Sequence, residues 1–89
     1  MLVAVICKDK EGALDLRLAN RDAHLAYINE TGVVAQAGPF LDADQQMCGS
    51  LVILDVANMD AAQAWAEADP YAQAGLFSQV RIEQWKKVI

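Results

Sequence analysis

Apolar residues fall along the chain in strand-like runs and helix-like stripes that alternate in a simple order. Leu2–Cys7 is a continuous apolar run with β-branched members, bounded by charges, and predicts a buried strand. Lys8–Ala13 is a polar connector containing Gly12. From Leu14 to Thr31 the pattern becomes helical: Leu14, Leu18, Leu25 and Ile28 share one face at helical spacing. Gly32 then supplies a residue that accepts positive φ after the last turn.

Val33–Ala37 predicts a second strand, ended by Gly38-Pro39, and Leu41–Gln46 is a polar loop with Asp42 and Asp44. Met47–Val56 predicts a third strand, with Leu51–Leu54 apolar on both faces. Asp60 with Gln63 resembles a capping box at the start of a second helix, whose buried stripe is Ala61, Ala64, Trp65 and Ala68. That helix ends at Asp69, because Pro70 disfavours helical geometry in the residue before it. Tyr71–Leu76 is a turn, and Phe77–Ile89 alternates as a half-exposed edge strand would.

The order β-α-β-β-α-β is the ferredoxin-like plan: a single α+β domain over residues 1–89, with an antiparallel four-stranded sheet. Right-handed crossovers put both helices on one face of the sheet. The first and third strands are nevertheless apolar on both sides, so the second face needs a cover. A second copy of the chain is the simplest one, making a homodimer through the open face.

Composition narrows the partners. A net charge of −5 disfavours nucleic acid and anionic membranes. No apolar run reaches the roughly 18 residues of a membrane span, and Met1–Cys7 is too short for a secretory leader, so the expected compartment is the cytoplasm. Cys7 and Cys48 are too few for a disulfide scaffold and are expected to be buried thiols. One histidine and no metal-ligand spacing predict no metal, and no nucleotide or flavin motif predicts a cofactor.

The candidate chemistry lies on the first helix. With Leu18 at zero on a wheel of about 100° per residue, Arg21 falls near 300°, inside the apolar arc, with Arg17 and His24 beside it near 260° and 240°. A buried arginine requires an acid or an anion. Structural pairing of Arg17 and Arg21 with Asp22, Asp69 or Glu67 stands beside the reading as a clamp for a ligand oxygen. His24 is the chain's one side chain whose charge ordinarily changes near neutral pH, which suits a general acid or base. The topology gathers Arg17, Gly38-Pro39, Cys48-Gly49-Ser50 and Asp69-Pro70-Tyr71 at one end of the sheet. Asp69 there either marks the break before Pro70 and pairs with an arginine or orients His24, and Ser50 is either a strand residue whose hydroxyl is satisfied locally or a hydrogen-bond partner of the ligand.

The ordered set Arg17-Leu18-x-x-Arg21, His24-Leu25, Ala37-Gly38-Pro39, Gly49-Ser50, Trp65-Ala66-x-Ala68-Asp69-Pro70-Tyr71, Ala74-Gly75 and Lys86-Lys87-Val88 resembles the YciI-like proteins of the dimeric α/β-barrel group, across nearly the whole chain. The resemblance implies sheets packed face to face in a dimer and a pocket centred on His24 and Asp69. The group includes a dehydrochlorinase of a hydroxylated chloroaromatic ring and muconolactone isomerases. Part of the family carries aspartate where this chain has Ala37. The expectation is a cofactor-free enzyme using His24 and Asp69 for elimination or isomerisation. Its ligand would be a small hydroxylated cyclic or aromatic compound, anionic or phenolic, held by Arg17, Arg21, Gly38, Pro39, Ser50 and Tyr71. A non-catalytic binding module, or a structural dimer with a closed ion network, is the alternative.

Overall fold

Side-chain alternation decides which way each strand faces, and here it divides one sheet between two uses. The computed structural model describes residues 1–89. The chain runs β1 (Leu2–Asp9), α1 (Leu14–Thr31), β2 (Val34–Leu41), β3 (Met47–Asp55), α2 (Met59–Ala68), α3 (Pro70–Gln73) and β4 (Phe77–Trp85). The strands form an antiparallel sheet in the order β2-β3-β1-β4, so each long connection crosses over one central strand. This is the α+β ferredoxin-like architecture that the element order predicts.

The central strands carry the core. Val3, Val5 and Cys7 of β1 and Val52 and Leu54 of β3 face the helices and pack beneath Ala62, Trp65 and Ala66 of α2. The intervening residues point to the other side, where Ala4 pairs with Ile53 and Ile6 with Leu51 in register. The helices lie on the opposite side; on this face Ala4 and Ile53 are buried, Ile6 and Leu51 partly so, and Phe40 and Trp85 stand exposed at its margins.

Local boundaries differ from expectation where tertiary context intervenes. β1 runs two residues beyond Cys7, and the alternation that turns Val3, Val5 and Cys7 inward carries Asp9 inward as well. β2 does not stop at Gly38-Pro39; Pro39 pairs with Ser50 in register, and the strand continues to Leu41. An edge strand tolerates this because one of its two hydrogen-bonding sides has no neighbour to serve. The cap of α2 is Asn58 rather than Asp60: its Oδ1 accepts from the Ala61 N–H at 2.8 Å. The buried residues of that helix are accordingly Ala62, Trp65 and Ala66. Pro70 ends α2 as expected but opens a one-turn helix, α3, rather than a plain turn. β4 ends at Trp85, short of Ile89.

The largest departure concerns α1. Its buried residues are Arg17 and His24, while Leu18 is 53 % exposed and Leu25 38 %. The helix is rolled so that its polar pair, two turns apart, faces inward. Arg21 consequently lies at the surface rather than within the buried arc.

Candidate functional site

Two carboxylates, each supplied by the end of another element, explain why α1 turns a guanidinium and an imidazole inward. At the first, Asp9 receives the side of the Arg17 fork: Nε donates to Oδ2 at 2.7 Å and Nη2 to Oδ1 at 2.9 Å. Nη2 also donates to Ser50 Oγ at 2.8 Å. Both partners of the pair are almost wholly buried, with side chains 3 % and 6 % exposed. Burial opposes the charge on Arg17, yet the hydrogen bonds and charge of Asp9 outweigh it and hold the guanidinium above its usual range. The acid that Arg17 needed is therefore none of Asp22, Asp69 and Glu67. A strand ended at Cys7 leaves Asp9 out; the period-two continuation from Cys7 is the signal that points to it.

The second carboxylate is Asp69, extended as a residue before proline should be. Its Oδ1 accepts from the Tyr71 backbone N–H at 2.9 Å and contacts His24 Nδ1 at 2.8 Å. A carboxylate facing Nδ1 places the proton of a neutral imidazole on that nitrogen and leaves Nε2 as the basic one. The His24 ring is further fixed by stacking on Tyr71, with centroids 4.0 Å apart and planes inclined by 16°. The same tyrosine ring receives the Arg17 guanidinium carbon 4.7 Å from its centroid, and Phe77 meets it edge-on. Two helical turns separate Arg17 from His24 by about 10 Å, the room that one aromatic ring needs with a layer on each face. Burial, ahead of any charge, pushes the Tyr71 phenol up from its ordinary value.

Beside these groups lies a cavity of about 150 Å³, lined by the polar Arg17, Arg21, His24, Ser50 and Tyr71. Its apolar lining is Leu25 and Ile28 from α1 and Ala37, Pro39, Met47 and Val52 from the sheet. All six proposed ligand-binding positions, Gly38 included, border this cavity together with His24; Asp69 stands behind the imidazole. Asp9 thus matches the charge of Arg17, while His24 keeps one ring nitrogen without a partner in the chain. Arg21 borders the cavity at the surface and makes no ion pair with an acid of the chain. Gly38 has open space where a Cβ would stand, so nothing there requires glycine. Gly49 does: a Cβ on it would run into the Cys7 carbonyl oxygen.

The two cysteines lie on adjacent strands at this end, as the topology predicts. Cys7 is buried behind the site and its thiol is pushed from an ordinary 9.0 to about 12, chiefly by burial and then by the Asp69 charge. A thiol so protonated is no nucleophile at neutral pH. Cys48 is only partly buried, and its thiol points to the Phe40 carbonyl.

A ferredoxin-like sheet with a histidine–aspartate pair opening on a small cavity defines a class of α+β proteins with a pocket between helix and sheet. Within that class the chain belongs to the YCII-related domain family, whose model matches residues 1–86. The protein YciI of Escherichia coli is 38 % identical over 99 % of both chains, and an uncharacterised protein of Haemophilus influenzae is 33 % identical over 99 % of both. Among solved structures, 5-chloro-2-hydroxyhydroquinone dehydrochlorinase from Burkholderia phenoliruptrix, in complex with 2,5-dihydroxybenzoquinone, superposes with a TM-score of 0.90. It is 36 % identical, and the match covers 97 % of this chain and 94 % of the other. An antibiotic biosynthesis monooxygenase shares the fold alone, at a TM-score of 0.62 and 14 % identity over the full length of both. No helix of the chain is long and apolar enough to cross a membrane.

Proposed function

We propose that this protein is a cofactor-free enzyme that eliminates or isomerises a small hydroxylated ring compound by acid–base chemistry at His24. The observation that carries the reading is the buried His24–Asp69 hydrogen bond of 2.8 Å, which leaves Nε2 free beside a cavity. Nε2 takes a proton from the ligand, and Asp69 holds the ring and stabilises the imidazolium that results. In an elimination the electrons of the broken bond expel a leaving group; in an isomerisation the imidazolium returns the proton to another atom. Negative charge that gathers on a ligand oxygen meets the polar lining at Arg17, Arg21 and Ser50.

The size of the ligand follows from the space. A cavity of about 150 Å³ holds a single benzene-sized ring. A lining that mixes apolar residues with hydrogen-bonding groups suits a flat ring with oxygen substituents, phenolic or anionic, and Arg21 is the cation left to receive a charge. The similarity to a dehydrochlorinase of a hydroxylated ring supports the same class. Ala37 in the apolar lining offers no acid at its position, so His24 acts as the base. We further assign a homodimer through the open sheet face and a cytoplasmic location.

The test is turnover of single-ring hydroxylated compounds, beginning with 5-chloro-2-hydroxyhydroquinone and reading chloride release. His24→Asn should abolish it, and Asp69→Asn should slow it by about 10²- to 10⁴-fold, both with unchanged circular dichroism. A His24→Asn variant as fast as the parent would sink the proposal.

A further inference from the structure

Arginine has only donors, so in the 2.8 Å bond between Arg17 Nη2 and Ser50 Oγ the serine accepts. The hydroxyl hydrogen of Ser50 therefore points elsewhere, and no atom of the chain accepts it. Ser50 is only 4 % exposed and borders the cavity. A buried donor without an acceptor is an uncommon and unfavourable arrangement. What resolves it is an acceptor placed in the cavity.

Asp9 takes two of the five N–H groups of Arg17, one from Nε and one from Nη2, and matches its charge; Ser50 takes a third, and the two on Nη1 have no acceptor in the chain. The guanidinium is thereby tied toward the end of β1, with Ser50 as its further partner. A hydroxyl that accepts from a cation becomes a stronger donor in turn, because bonds in a chain polarise one another.

We propose that Ser50 is the group that binds an ionised oxygen of the ligand, and that Arg17 and Asp9 are positioning residues acting through it. This assignment rests on the reading of the cavity as a ligand site and narrows its ligand to a ring acid, phenol or enol, whose oxygen carries negative charge when bound. The order is Asp9 to Arg17 to Ser50 to ligand oxygen. It mirrors the second arm, in which Asp69 orients His24 toward the ligand's proton. Each arm has a carboxylate at its far end and one group at the pocket, a hydroxyl donor in the first and an imidazole nitrogen acceptor in the second.

The probe is 4-nitrophenol, a one-ring phenol whose ionised form alone absorbs strongly in visible light. Its ionisation when bound is read by absorbance across a pH series, with affinity from calorimetry. The parent protein should favour the phenolate by about tenfold, lowering the bound probe's midpoint by about one pH unit. Ser50→Ala should abolish that preference, and Ser50→Thr, which keeps the hydroxyl, should restore it. The charge-neutral pair Asp9→Asn/Arg17→Gln should reduce it by about threefold or more while circular dichroism shows the fold retained; if that pair fails to fold, the alanine–threonine comparison decides alone. Undiminished phenolate preference in Ser50→Ala would make an arginine of the cavity, Arg17 or Arg21, the receptor and overturn the proposal, as would a parent protein that does not bind the probe. The readout is binding, so absence of turnover would defeat only the acid–base reading, and an unresponsive Ser50→Ala only this one.

Discussion

Cys7 lies one side chain behind the ligand pocket and records in its protonation how dry that region is. Its thiol titrates at about 12 in the folded protein against an ordinary 9.0. The folded state therefore favours the protonated form. Its contribution is fully present below pH 9, where the unfolded thiol is also protonated, and is lost as pH rises toward 12. Across that window stability should fall by about 1.4 kcal/mol per pH unit for this one group, and Tyr71, shifted in the same direction by burial, adds to the loss. Urea unfolding at pH 8 and pH 10.5 should show the drop, and Cys7→Ala should shrink it. At this scale the sequence is informative wherever a residue's place follows from its neighbours. Asp69 is legible from the proline after it, and His24 and Ser50 from the elements that hold them. Asp9 is not, because a charged pair at Lys8-Asp9 imitates the end of a strand when it is in fact the inward step after Cys7.

Elements are set less by their own patterns than by what they must face. The leucine spacing of α1 correctly marks a helix over Leu14–Thr31, but the orientation it suggests is displaced from the real one. Arg17 and His24 each have a buried carboxylate to satisfy, and those bonds fix the roll of the helix. Leu25 and Ile28 then line the pocket, Ile28 also packing against the core, and Leu18 is left outside. No periodicity reports that trade, because the acids come from β1 and from the break after α2. β2 shows the same limit: Gly-Pro reads as a stop, yet its place at the sheet edge lets the strand pass through it. α2 depends on Asn58, whose side chain satisfies one otherwise free N–H of the first turn. Asn58→Ala should destabilise the protein by about 1 kcal/mol in a denaturant titration and leave probe binding at the distant pocket intact.

At the scale of the molecule, the element order and the two-faced apolar strands are legible in the sequence, and the strands point to a second apolar face opposite the helices. That face centres on Ala4, Ile6, Leu51 and Ile53, with Phe40 and Trp85 exposed at its margins and Arg81 and Glu83 toward the β4 edge. An apolar centre with a polar rim is the composition of a protein interface. Leu51→Lys sets a charge at the middle of the proposed homodimer while its aliphatic stem still covers its neighbours. Sedimentation should then show monomers where the parent chain sediments as a dimer.

The sheet has the proposed dimer face on one side and the His24 cavity on the other, with β3 between them: Leu51 points one way, Ser50 and Val52 the opposite way. Such a partition has a thermodynamic corollary. A ligand changes an association equilibrium only by as much as it prefers one state over the other. With a whole strand layer intervening, occupancy of the cavity and pairing of the chains should carry no coupling free energy. Each chain would then fill its pocket independently, with a Hill coefficient of about one, at protein concentrations on either side of the dimer's dissociation constant.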